Sequence, residues 1–109
     1  MTEHAFQAGI EQLRDGFLTR IAQRLMAIDA IVEGAGPGPV SHSDRRQIAH
    51  HAHKTAGVAA TFGFEDLGGS AGLVERLMTS TDGDLDWTDA RPAVEDLLDQ
   101  MERALDGEV

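Results

Sequence analysis

The sequence has no cysteine and no tyrosine, one tryptophan and three prolines. Without cysteine, disulfides and thiolate metal sites are excluded, which suits a reducing cytoplasm. No apolar run approaches the roughly 20 residues needed to cross a bilayer. The opening residues, MTEHAFQAG, lack the basic patch and apolar stretch of a secretion signal. A cytoplasmic location without membrane contact is therefore expected. Basic residues are scarce, 9 against 19 acidic, for a net charge of −10. Nucleic acid binding needs clustered Lys and Arg to displace counterions, so no nucleic acid partner is expected.

What is present is enough for one globular unit. The 41% hydrophobic content exceeds that of a disordered chain. A chain of 109 residues can bury a modest core, and residues 1–109 read as a single domain. The charge is uneven. Up to Gly63 six basic and six acidic residues cancel, so the whole acidic excess follows Gly63.

The apolar pattern is helical throughout. Phe17, Ile21, Leu25, Ile28 and Val32 form one stripe at spacings of four and three. A shorter helix over residues 3–13 carries Phe6, Ile10 and Leu13. GAGPGP, residues 34–39, ends the long helix. Ser41 or Ser43 can cap the next one, with Asp44 suiting its dipole and Gly63 stopping it. A segment over residues 64–78 has Leu67, Ala71, Val74 and Met78 on one face. Its glycines 68, 69 and 72 weaken the helix and suggest a close backbone approach. Residues 79–86 form a polar loop, and Asp86 or Thr88 opens the last helix. Pro92 then falls within about its first turn, and Val94, Leu97, Leu98, Met101 and Leu105 make its buried stripe. Short loops between amphipathic helices imply an all-α antiparallel four-helix bundle with a short additional N-terminal helix.

One segment departs from this plain pattern. AHHAHKTAGVAATFG, residues 49–63, gathers three of the five histidines and then carries almost no bulk until Phe62. On a helix of 100° per residue, Ile48, Ala52, Thr55, Ala56 and Ala59 follow the buried stripe. His53 stands at its edge. Its vertical neighbours are Ala49, His50, Ala56 and Gly57, three of them as small as side chains come. Such a histidine is partly exposed above a shallow shelf, open to a partner's approach.

Residues 52–75, AHKTAGVAATFGFEDLGGSAGLVE, resemble the signature of histidine-containing phosphotransfer (HPt) domains. His53 matches the family's mid-helix histidine, Gly57 the glycine four residues on, Ala59 and Ala60 the small pair, and Gly63 the closing glycine. Leu67 and Glu75 match a leucine and a glutamate of the following helix. The resemblance implies that His53 accepts a phosphoryl group from a receiver-domain aspartate and passes it to another. Response-regulator receiver domains and a hybrid histidine kinase would be the partners. The chain would need no cofactor of its own, since the receiver brings Mg2+. The chemistry suits imidazole, whose reference pKa near 6.5 leaves an exposed ring mostly uncharged and nucleophilic at neutral pH. The family usually places a lysine three residues after the histidine, where this chain has Ala56. Lys54 is the candidate substitute. His50 flanks His53, and Leu18, Ala22 and Met26 are candidates for a docking patch with Arg20 and Arg24 at its rim. A monomer is expected, because no second extended apolar seam is marked.

Two other readings compete. The same bundle could dock on a signalling partner without transferring anything. His50 and His53, three residues apart, could also share a metal ion. No Glu-x-x-His pair supports a di-iron bundle, so no metal site is assigned. Phosphate-cradling motifs are missing, with neither G-x-x-x-x-G-K nor G-x-G-x-x-G. The chain is therefore no complete kinase, and a phosphoryl group must come from a partner.

Overall fold

Four α-helices pack side by side in the computed structural model, which describes residues 2–80 and 83–107. They are α1 (Glu3–Gly34), α2 (His42–Ala59), α3 (Glu65–Thr79) and α4 (Trp87–Leu105), with a 3-10 turn at Ala60–Phe62. α2 packs most extensively on α3, and α3–α4, α4–α1 and α1–α2 contacts close the ring. This is the expected bundle. Its core is one cluster that includes Ile21 and Ile28 of α1, Ile48 of α2, Leu67 and Val74 of α3, and Leu97 and Met101 of α4.

The caps follow from side-chain chemistry. Thr2, Ser41 and Asp86 each accept a bond from a free backbone N–H at a helix start. Gly63 ends the 3-10 turn at φ 85°, a conformation that costs glycine nothing and other residues strain. Pro39 and Asp86 form an isolated bridge, so the loop before α2 and the loop before α4 are stitched together. Val40 N–H donates to Leu85 O at 2.7 Å and Trp87 N–H to Gly38 O at 2.9 Å.

Three expectations need correction. The short N-terminal helix is not separate, because α1 runs unbroken for 32 residues. Gly16 costs a helix only about 1 kcal/mol, and Phe6, Ile10, Leu13 and Phe17 keep helical spacing across it. The bundle does not cover this extension, so Phe6, Ile10 and Leu13 stay exposed. Leu105 is exposed too, at 38%. It is the last residue of α4, and Ala104 takes the buried position at that end. Pro92 is the sixth residue of α4, deeper than its first turn. The carbonyl of Thr88 thereby loses a donor, but Thr88 is exposed and water can replace it. Of the three α3 glycines, only Gly68 faces α2: a Cβ there would stand 3.5 Å from the Ala59 Cβ and 3.9 Å from Ala60 N. Thr81 and Asp82, inside the expected polar loop, lie outside the described residues.

Two arginines hold the ends of the α2–α3 hairpin. At the corner, Arg14 donates to Phe62 O at 3.3 Å, and its guanidinium lies 4.9 Å from the Phe64 ring centre. Phe17 stacks on Phe62 and Phe64 at 5.0 and 5.8 Å. At the far end, Arg45 donates to Met78 O at 3.0 Å, Ser80 O at 2.6 Å and Gly83 O at 3.3 Å. These are carbonyls at the C-terminus of α3 and just beyond, where a cation is favoured by the helix dipole. Removing the guanidinium leaves all three without that donor. Arg45→Ala is expected to lower unfolding stability by roughly 1–3 kcal/mol, measured as a reduced urea midpoint with an unchanged m-value.

Candidate functional site

The geometry of the site starts from the antiparallel register of α2 and α3. Gly68 lies beside Ala59 and Ala60, and Glu75 lies beside His53. Each step forward on α3 therefore matches a step back on α2. His53 and Glu75 each stand eleven residues from Phe64 at the corner, so the hairpin fold itself brings them level.

His53 is exposed, with a side-chain accessibility of 69%, and Glu75 is half-buried at 31%. Glu75 Oε2 lies 2.7 Å from Nδ1 of His53. A carboxylate only accepts hydrogen bonds, so the proton in this bond sits on Nδ1. The lone pair of the neutral ring then belongs to Nε2. One nitrogen is held and the other is free to attack, the arrangement of an oriented nucleophile. Sequence reasoning matched Glu75 to a motif but gave it no role. Equal distance from the corner was the signal that pairs the two residues.

The remaining candidates spread around this pair. Ala56 is half-buried against the core, while Gly57 is exposed. A Cβ on Gly57 would meet nothing within 4 Å, so internal packing does not require glycine there. His50 is exposed and shares with His53 an open groove whose lining includes Arg46, Ala49, Met78 and Thr79. The ring of His50 makes an edge contact with that of His51, 5.7 Å between centres. Lys54 is exposed, one helical step away from His53. Leu18 packs partly into the core, Ala22 is half-buried and Met26 is 70% exposed, and none of the three lines the groove. On α1 it is Arg24 whose charge is felt at α2, by His51. Among the described residues, no three His, Cys, Asp or Glu converge to hold a metal ion.

The Hpt domain profile matches residues 12–107 of this sequence. The chain belongs to the Hpt family. No curated protein and no solved structure matches it. An Hpt domain implies histidine phosphotransfer in a two-component phosphorelay, with receiver domains and histidine kinases as the family's partners. Among the described residues of this Hpt domain, no helix is long and apolar enough to cross a membrane.

A second histidine reports on the α1–α2 seam. Burial, then the charges of His50 and Arg24, hold the His51 pKa below its ordinary value. Burial and the neighbouring Arg20 act in the same direction on Arg24, whose Nη1 is buried without a hydrogen-bond partner. The unfolded chain thus binds a proton at His51 more readily than the folded one. The stability this gives is present above about pH 6.5, the unfolded value, and is lost as pH falls through the lower folded value. Thermal unfolding of wild type should therefore lose more midpoint temperature on acidification below about pH 6.5 than His51→Gln loses. Parallel curves for the two would remove His51 as the cause.

Proposed function

We propose that this protein is a phosphorelay intermediate in which His53 accepts a phosphoryl group from a receiver-domain aspartate and returns it to another. The observation that carries the proposal is the 2.7 Å bond from His53 Nδ1 to Glu75 on a ring that stays 69% exposed. It orients Nε2 outward as the nucleophile and offsets the positive charge that the ring gains as the new bond forms. In that step the Nε2 lone pair attacks phosphorus. The bond from phosphorus to the aspartyl oxygen breaks, and its electron pair leaves on the carboxylate. The proton on Nδ1 stays shared with Glu75. Phosphoryl transfer asks for little more than position and charge, and the receiver supplies Mg2+.

The shelf around the ring serves the visiting domain. Ala56 and Gly57 leave space beside His53, and His50 flanks it from the preceding turn. Leu18, Ala22 and Met26 widen the docking surface on α1, with Arg20 and Arg24 as charge on its α2 side. A contact of this kind is small and reversible, as a relay must release both partners.

Incubation with a phosphorylated receiver domain should place acid-labile, base-stable label on this chain, and His53→Gln should abolish it. Binding without label would leave only a docking module. Glu75→Ala should slow uptake by about ten- to hundredfold, while Glu75→Gln, which still accepts at Nδ1, should recover part of the rate. Gly57→Ala should raise helix stability by about 1 kcal/mol and slow transfer, a split that separates docking from folding.

A further inference from the structure

A phosphoryl group on His53 brings close to two negative charges at neutral pH, and the Glu75 carboxylate already lies 2.7 Å from the same ring. Such a concentration of charge calls for a cation in reach of the phosphoryl oxygens. Residue 56, one turn further along α2, is alanine. Lys54 follows His51 by three residues and so shares the α1 side of α2, since His51 feels Arg24.

We propose that Arg76 of α3 binds the phosphoryl group on His53, a role that rests on His53 being the acceptor. The register carries the argument. With Glu75 level with His53 and Gly68 level with Ala60, Arg76 starts level with Ala52 and Gly72 lies level with Ala56. Helical side chains lean toward their N-terminus, and Nη1 of Arg76 lies 3.4 Å from where a Cβ of Gly72 would stand. The arm thus runs from the level of Ala52 to that of Ala56, past His53. Gly72, having no side chain, leaves its path open. Arg76 is one 100° step beyond Glu75 around α3, a step away from buried Val74, and so lies on the solvent side of the seam.

Arg76 sits in the last turn of α3, where its charge suits the helix dipole, and no ion pair or side-chain hydrogen bond among the described residues holds its guanidinium. It is exposed, and the only ion pair among the described residues joins His53 and Glu75. Of the basic residues after Gly63, Arg91 lies over the Trp87 ring and Arg103 sits in the last turn of α4. Arg76 is the third and last of them. Its guanidinium offers a planar fork that matches two phosphoryl oxygens. It acts during the P–O to P–N exchange without taking or giving a proton.

Two measurements on the full chain test this. In the first, a radiolabelled phosphorylated receiver domain donates label, and uptake rate and complex dissociation constant are measured separately. Arg76→Ala should slow uptake about ten- to hundredfold with the dissociation constant changed by less than about threefold. Arg76→Lys, or Ala56→Lys added to Arg76→Ala, should restore part of the rate, and Lys54→Ala should leave it unchanged. In the second, phosphoramidate phosphorylates the protein without a partner, and 31P NMR follows the titration of the phosphoryl group. Loss of a neighbouring cation should raise the phosphoryl pKa in Arg76→Ala but not in Lys54→Ala. A wild-type rate and an unmoved titration in Arg76→Ala would overturn the proposal, as would the same losses in Lys54→Ala instead. Absence of label on wild type from the receiver would sink the relay reading, while the 31P titration would still decide the role of Arg76.

Discussion

The close antiparallel contact of α2 with α3 is the constraint on which the site depends. It is possible because Ala59 and Ala60 meet Gly68, so the two helices approach with little between them. A hydrogen bond tolerates only a few tenths of an ångström before it weakens. The 2.7 Å bond between His53 and Glu75, about two turns further along, is therefore a direct consequence of how tightly the hairpin closes. A Cβ at Gly68 would stand in ordinary van der Waals contact with Ala59, 3.5 Å away, so only a side chain longer than alanine's there would spread the helices and lengthen that bond. The glycine at 68 costs helix propensity, and the packing of the hairpin offsets it.

The hairpin is fixed at both ends by the same device. At each end an arginine donates to backbone carbonyls, Arg14 of α1 to Phe62 O at the corner and Arg45 of α2 to three carbonyls where α3 ends. Each end is then backed by apolar contact, Phe17 against Phe62 and Phe64 at one, and the stitched loops around Val40 and Leu85 at the other. The central stretch, with both ends pinned, is free to expose a polar pair without loosening. A site on rigid helices holds its geometry better than one on a loop.

Charge divides along the same seam. α1 and α2 together are balanced, and the charge of Arg24 on α1 is felt at His51 on α2, whereas the acidic excess lies in the part of the chain that follows Gly63. His53 sits where the two parts meet. Its carboxylate partner comes from the acidic side, as does Arg76, an isolated cation there. The ring is thus held by one sign of charge, and its proposed phosphoryl-binding partner carries the other, within a protein of net charge −10.

The helices, most of their caps and the buried stripes are legible in the order of residues, because these depend on periodicity and on bonds between near neighbours. Ser41, Gly63 and Asp86 act as their chemistry dictates, and the lateral, small-flanked setting of His53 was legible from the spacing of alanines and Gly57. Where α1 begins was not legible, since a glycine at position 16 marks a possible break and only packing energy decides whether the helix crosses it. The exposure of Phe6, Ile10 and Leu13 was hidden for the same reason: an apolar stripe shows what a helix can bury, not whether a neighbour reaches it. Only the folded hairpin sets Glu75 against His53. Residues 22 positions apart meet only when two helices fold back at a fixed register, and that register is set by the shape of the corner rather than by any local preference.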